Sequence, residues 1–292
     1  MSQLELAPAK VNLCLFLGGT RDDGRHELVT LFESISLFDQ LELTELPDGP
    51  DEVVCPGVEG PNLVQAALAE LRSRGWSAPA VRIQIGKRIP VAAGLGGGSA
   101  DAAAALRLAT ELEPVSDDVL ADIAGGMGAD VPSQLRPGVA LGTGAGEVVA
   151  RCPQLPGHAF LIIPLPVRLS TPDVYREADR LGLPRSPGEL EKLRSRLDGA
   201  LRDGGRPEDS LLVNDLEPAA LSLCPQVAET LAAARDTGAD QVVVSGSGPT
   251  VAGVYWGDDA TARADRAAAE LAERFSGSVA AQPISSWPCG TI

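Results

Sequence analysis

Between the alternating segment Val81, Ile83 and Ile85 and an alanine-rich stretch lies Pro90-Val91-Ala92-Ala93-Gly94-Leu95-Gly96-Gly97-Gly98-Ser99-Ala100. Glycines let backbone N–H groups approach a ligand closely, and a helix N-terminus adds unpaired N–H groups and partial positive charge. A loop of this kind between a strand and a helix suits a polyphosphate. The same glycines would also serve a tight turn. Ser99 can cap the helix or offer its hydroxyl to a phosphate or to a magnesium ion bound with it. Three phosphate-binding templates do not fit. A Walker A loop needs lysine where Ser99 follows Gly98, the dinucleotide fingerprint needs a third glycine at Ser99, and the H-R-D and D-F-G partners of a protein kinase are missing.

Lysine is scarce: Lys10, Lys87 and Lys192 are the three, and the other 21 cations are arginine. Any functional lysine is therefore one of these. Lys10 stands between small residues and an apolar segment, a place where a lysine stem can also simply snorkel. Asn12 lies two residues further on, so along a strand both side chains share a face. Asp130 precedes Val131-Pro132, the composition of a short capped helix.

These residues need elements to hold them. Val11 to Leu17 reads as a strand ending at Gly18-Gly19, and Leu28 to Leu46 as two alternating stretches around a turn near Phe38-Asp39. The spacing predicts a helix from Asn62 to Gly75, a strand at Val81 to Ile85, a helix from Ala100 to about Leu112, and another from Ser116 to Gly125-Gly126. Gly138 to Arg151 reads as a hairpin around Gly142 to Gly146. Pro153, Pro156, Pro164 and Pro166 surround a strand at Ala159 to Ile163 and mark a candidate inter-domain region, dividing 1–152 from 153–292. Helices follow near Asp173 to Leu181, Glu189 to Leu201 and Val227 to Asp236. The chain then reads strand Gln241 to Val244, glycine loop, strand Val251 to Tyr255, helix Asp259 to Phe275 and strand Ser278 to Gln282, an α+β layer.

The 292 residues carry 24 Lys+Arg against 40 Asp+Glu, a net charge of −16, which argues against a nucleic-acid binder. With 44% hydrophobic and 22% charged residues the composition is that of a globular protein. No apolar run approaches the ~18 to 20 residues of a membrane span. Cys14, Cys55, Cys152, Cys224 and Cys289 are scattered without a C-x-x-C pair, and only His26 and His158 accompany them. That excludes a disulfide framework or zinc site and points to the cytoplasm. Residues 1–150 hold 10 cations and 21 acids, so an anion must be recognised locally. The groups available are Lys10, Arg25, Lys87-Arg88, the N–H groups of Gly94 to Ser99 and a bound Mg²⁺. A monomer and a homodimer are equally compatible with these features.

Pro90 to Ser99 resembles the phosphate loop of the GHMP kinases. Ala7-Pro8-Ala9-Lys10-Val11-Asn12-Leu13, Asp23-Gly24-Arg25-His26-Glu27-Leu28, Gly128-Ala129-Asp130-Val131-Pro132, Asn214-Asp215-Leu216-Glu217-Pro218 and Ser245-Gly246-Ser247-Gly248-Pro249-Thr250 follow in order. They resemble the branch of that family acting on 4-diphosphocytidyl-2-C-methyl-D-erythritol. The resemblance implies a two-domain α+β fold, an N-terminal domain like ribosomal protein S5 domain 2 and a ferredoxin-like C-terminal domain, with the site in the cleft between them. It implies ATP and Mg²⁺ as cofactors, bound along Pro90 to Ala100, and a small-molecule substrate phosphorylated on its 2-hydroxyl in the non-mevalonate route to isoprenoid precursors.

Asp130 would be the general base, with Lys10 orienting the hydroxyl and stabilising charge. Asn12 would meet substrate hydroxyls, His26 the cytosine edge, and Thr171 and Tyr175 the other side of the base. Arg25 stands where the family commonly has an aromatic, and its guanidinium plane can stack as well. Ser245 to Thr250 would pack against the site, with Asn214 to Pro218 as structural support. Two alternatives stand beside this reading. A mevalonate-pathway kinase or related decarboxylase is opposed by Gly24-Arg25-His26, and a non-catalytic nucleotide-binding regulator by Lys10 and Asp130.

Overall fold

The computed structural model describes residues 2–202 and 204–284. Cys289 lies outside them; Cys14, Cys55, Cys152 and Cys224 are free thiols, and burial pushes that of Cys14 up to about 12. Among the described residues no helix is long and apolar enough to cross a membrane.

The chain begins with two long antiparallel strands, β1 (Ser2–Thr20) and β2 (His26–Glu45), then β3 (Glu52–Val54), α1 (Leu63–Ser73) and β4 (Val81–Gly86). Next come α2 (Gly97–Leu112), α3 (Asp117–Met127), the short α4 (Val131–Gln134), and the hairpin β5 (Val139–Thr143) and β6 (Val148–Arg151). Asn62 caps α1, its side chain accepting from Val64 N at 2.9 Å, and Ser116 caps α3 in the same way. Each such cap is worth ~1 kcal/mol.

The expected turn near Phe38-Asp39 is absent. β2 runs straight through, and what interrupts its alternation is a bulge, because Pro8 pairs with Phe38 while Ala9 pairs with Ile35. At the bulge the other edge of β2 changes partner, from β5 (Thr30 to Glu33) to β4 (Gln40 to Glu45). The result is a six-stranded sheet ordered β3-β4-β2-β5-β6, with β1 alongside β2.

The second half contributes β7 (His158–Ile163), α5 (Thr171–Leu181), α6 (Pro187–Leu201), α7 (Glu217–Leu223), α8 (Gln226–Asp236), β8 (Gln241–Val244), β9 (Val251–Trp256), α9 (Ala260–Leu271) and β10 (Val279–Ala281). Its antiparallel sheet is ordered β10-β7-β9-β8, the ferredoxin-like arrangement. β3 and α7 are not legible in the sequence pattern; each is seven residues or shorter.

β7 is buried at all six positions, and period two explains how. Phe160 and Ile162 face a core shared with Val11, Leu13 and Ile35 of the first sheet, while Ala159, Leu161 and Ile163 face α8 and α9. The opposite face of the first sheet packs Leu41, Leu43, Ile83 and Ile85 against α1, α2 and α3. β1 is therefore covered on both sides and buried from Ala7 to Gly18.

Within this apolar contact His158 of β7 meets Glu33 of β2, both side chains 1% exposed, with Nε2 2.9 Å from the carboxylate and Nδ1 2.8 Å from the Pro156 carbonyl. Both ring nitrogens face acceptors, which calls for the doubly protonated ring. Burial opposes that charge, but the hydrogen bond and charge of Glu33, with the Pro156 carbonyl, hold His158 above its ordinary 6.5. A folded-state pKa raised in this way gives stability that is complete below the unfolded value and lost as pH rises through the folded one. Thermal melting should thus decline from pH 6.5 upward in the wild type. In His158→Gln that component of the slope should vanish and overall stability should be lower; an unchanged slope would contradict the assignment.

Candidate active site

Lys10 lies inside the apolar run of β1 and is 4% exposed. A buried ammonium is costly unless each of its three donors is matched. Here Nζ has Asn12 Oδ1 at 2.7 Å, the Gly94 carbonyl at 3.2 Å and Asp130 Oδ2 at 3.2 Å. Asn12 does share the face of Lys10, and its Nδ2 donates on to Thr30 Oγ1 at 2.8 Å, which donates to the Cys14 carbonyl. Removing one partner of a well-buried ion pair costs ~3–5 kcal/mol; with Asp130 28% exposed the figure here is smaller.

Asp130 occupies the N-cap position of α4, yet its carboxylate makes no capping bond. It turns to Lys10 instead, while the Asp130 carbonyl accepts from Ser133 Oγ at 2.8 Å. The glycine loop also departs from its expected outline. α2 starts at Gly97, three residues before Ala100, and its N-cap is Gly96. Ser99 therefore sits in the first helical turn, where its hydroxyl does not cap. The N–H groups of Gly97, Gly98 and Ser99 belong to that first turn, which has no intrahelical acceptors for them.

At two positions both the backbone and the space favour glycine. A Cβ on Gly94 (φ +79) would lie 2.3 Å from the Ser245 carbonyl, and one on Gly96 (φ +68) 2.9 Å from Lys10 Cγ. Ser245 Oγ donates to the Gly94 carbonyl at 3.0 Å and accepts from Asn12 N at 3.4 Å, so the C-terminal glycine loop seals against the glycine loop before α2. Asn214 supports that loop, its Nδ2 donating to the carbonyls of Val244 and Gly246, both at 2.7 Å.

Lys10, Asp130 and the loop from Pro90 to Ser99, apart from the buried Leu95, wall a cavity of about 720 Å³. Asn12, Thr171 and Tyr175 also line it, and Thr171 Oγ1 lies 2.9 Å from Ser247 Oγ. Burial raises the phenol of Tyr175. His26 opens β2, is 8% exposed, and stands behind Tyr175 with ring centroids 5.2 Å apart and Nε2 2.8 Å from Asp179 Oδ1. Arg25 is not brought to the cavity wall; its guanidinium is 48% exposed and bonded to Asp23.

Lys87 lines the cavity, but its ammonium is held by Asp39 and by Asp101, the latter at 2.7 Å. Its charge is thus already matched by two carboxylates. Arg88 is exposed and gives Asp39 its backbone N–H. Burial pushes the Asp101 carboxyl up to about 7 against the opposing pull of Lys87, and among the described residues Asp101 Oδ1 has no hydrogen-bond partner. Thr30, Asp39 and Asp101 carry no motif. An acid inside an apolar strand, as Asp39 is, was the available signal.

Gly96→Ala tests the packing at Lys10. The added methyl would push the lysine stem out of its place, so turnover should fall by about tenfold or more while the melting temperature drops by only a few degrees. Steady-state kinetics and a melting curve check this; wild-type turnover would show that Lys10 tolerates displacement.

A model of the GHMP kinase N-terminal domain matches residues 62–149, and one of the GHMP kinase C-terminal domain matches 190–277. A 4-diphosphocytidyl-2-C-methyl-D-erythritol kinase of Streptomyces coelicolor is 41% identical over 262 residues, covering 86% of this chain and 87% of that one. One of Saccharopolyspora erythraea is 43% identical over 283 residues, with 90% and 85% covered. A crystal structure of 4-(cytidine 5'-diphospho)-2C-methyl-D-erythritol kinase superposes with a TM-score of 0.74 at 35% identity, covering 96% of this chain and 98% of that one. A homoserine kinase from Cytophaga hutchinsonii shares the fold, with a TM-score of 0.72 at 19% identity and coverage of 96% and 94%. With both domain models matched and relatives of this identity along most of its length, the chain belongs to the GHMP kinases, in their 4-diphosphocytidyl-2-C-methyl-D-erythritol kinase family.

Proposed function

We propose that the protein transfers the γ-phosphoryl group of ATP to the 2-hydroxyl of 4-diphosphocytidyl-2-C-methyl-D-erythritol, in the non-mevalonate route to isoprenoid precursors. The observation that carries the chemistry is the Lys10–Asp130 pair, 3.2 Å apart and facing a phosphate loop across one cavity. Phosphoryl transfer needs a placed hydroxyl, a proton acceptor beside it, and donors against the charge that develops on phosphorus.

Asp130 accepts the hydroxyl proton as the oxygen forms its bond to the γ-phosphorus. The bond from that phosphorus to the bridging oxygen breaks, and ADP leaves carrying the electron pair. Lys10, fixed by Asn12 and Gly94, sets the carboxylate against the hydroxyl and offsets negative charge on the transferred group. The N–H groups of the first turn of α2 hold the phosphates.

Magnesium fits this site as a companion of the nucleotide. Such an ion keeps most of its waters, takes phosphate oxygens and needs few protein donors. The Ser99 hydroxyl, lining the cavity in the first turn of α2, would be its protein contact, and the ion would neutralise charge on the phosphates. For the substrate, Asn12 and Thr171 would meet its polar groups, and Tyr175 backed by His26 would hold the cytosine. Arg25, in the turn just before His26, would approach the outer face of the base by leaving Asp23. Residues 1–152 would form the ATP-binding unit and 153–292 its partner. That boundary is supported by the strands of the two sheets, which divide between Arg151 and His158.

The test is turnover with the cytidyl diphosphate alcohol, with mevalonate and with phosphomevalonate as acceptors, followed in Asp130→Asn. Transfer to the cytidyl compound alone is expected, reduced by about a hundredfold or more in the variant. Transfer to a mevalonate compound instead would overturn the substrate. A variant within a few-fold of wild type would overturn the role of Asp130.

A further inference from the structure

Gln134 closes α4, one helical turn beyond Asp130, and is fully buried. A buried amide is costly unless its nitrogen and oxygen both find partners. The Gln134 Nε2 donates to the Pro8 carbonyl at 2.8 Å, and its Oε1 accepts from Ser34 Oγ at 3.2 Å. The orientation of the amide is fixed, since a carbonyl can only accept.

Both partners matter by position. Pro8 lies two residues before Lys10 on β1, and Ser34 is the residue paired with Lys10 on β2. One side chain of the helix that follows Asp130 therefore grips both strands, β2 at the rung carrying Lys10 and β1 two residues before it. From the other side Arg107 of α2 donates to the Gln134 carbonyl at 2.6 Å and to the Leu6 carbonyl at 3.0 Å. α2 is the helix whose first turn forms the phosphate loop, so base, lysine and loop are joined through Gln134. α4 has only four residues, too few to hold a position by helix formation alone. Its apolar packing through Val131 gives attraction without direction.

We infer that Gln134 is a positioning residue for phosphoryl transfer, its two side-chain hydrogen bonds fixing where the Asp130 carboxylate stands relative to Lys10. The inference rests on the role given to Asp130 above, and it predicts a loss confined to the chemical step.

The experiment compares wild type, Gln134→Met, Ser34→Ala, Asp130→Asn and the two double variants that combine Gln134→Met or Ser34→Ala with Asp130→Asn, using ATP and the cytidyl diphosphate alcohol. Methionine keeps the volume and removes both bonds; Ser34→Ala removes one of them, together with the bond Ser34 Oγ accepts from Gly138 N at 3.1 Å, and leaves the glutamine in place. In Gln134→Met, kcat should fall about tenfold or more while both KM values stay within about twofold, and Ser34→Ala should give a smaller fall. On the Asp130→Asn background either change should add less than about twofold, because residues acting as a unit are not additive. A purely structural residue would lower activity by the same factor in both backgrounds, and that result would overturn the inference, as would Gln134→Met turnover within about twofold of wild type. Should Gln134→Met fail to fold, Ser34→Ala decides: a fall in kcat that disappears on the Asp130→Asn background supports the inference, and unchanged kcat or an equal fall in both backgrounds overturns it. Wild-type turnover is the control that separates a wrong substrate from a wrong role for Gln134.

Discussion

The structure is organised around one buried ammonium group. Lys10 lies in the buried run of a strand covered on both faces, and its charge is tolerable because three acceptors converge on it. Those acceptors come from β1 itself, from the loop before α2 and from the start of α4. Three of the segments that wall the cavity are thus constrained to meet at this point. Desolvation makes the arrangement demanding, and it also strengthens whatever electrostatic work the lysine does on a phosphoryl group.

That constraint explains features that local rules do not. Asp130 gives up the capping bond its position offers, a stabilisation of ~1 kcal/mol, to face Lys10. Gly94 and Gly96 keep left-handed backbone beside Ser245 and Lys10 because a side chain at either would occupy space that a neighbour already fills. The second sheet is held to the same point from its own side, through Ser245 and Asn214. The net charge of −16 gives no bulk attraction for anions, so the proposed phosphate site depends on backbone N–H groups and Lys10.

Much of this was legible in the sequence where the signal is local. The alternation at Val81 to Ile85, the capping residues Asn62 and Ser116, and the glycine run before α2 all point to what forms there. The ordered blocks around Lys10, Asp130 and Ser245 point to one family, to which the chain belongs. What escaped depends on non-local geometry. The β2 bulge resembles a turn because both interrupt a period of two, and only the partners on either edge tell them apart. Asp39 and Asp101 are distant in sequence and meet on Lys87. Gln134 gives no signal at all, since its importance lies in bonds to Pro8 and Ser34 about a hundred residues away. Arg25 is readable as a departure from an aromatic pattern, whereas its bond to Asp23 becomes visible only with the loop folded.

The central claim is that Lys10 and Asp130 act as one device on the transferred phosphoryl group. It is tested most directly by a double-mutant cycle on the single-turnover rate of phosphoryl transfer, using Lys10→Met, Asp130→Asn and the double variant. The account predicts that each single change removes most of the acceleration and that the double variant is little slower than the slower single one. Losses that multiply in the double variant would contradict it.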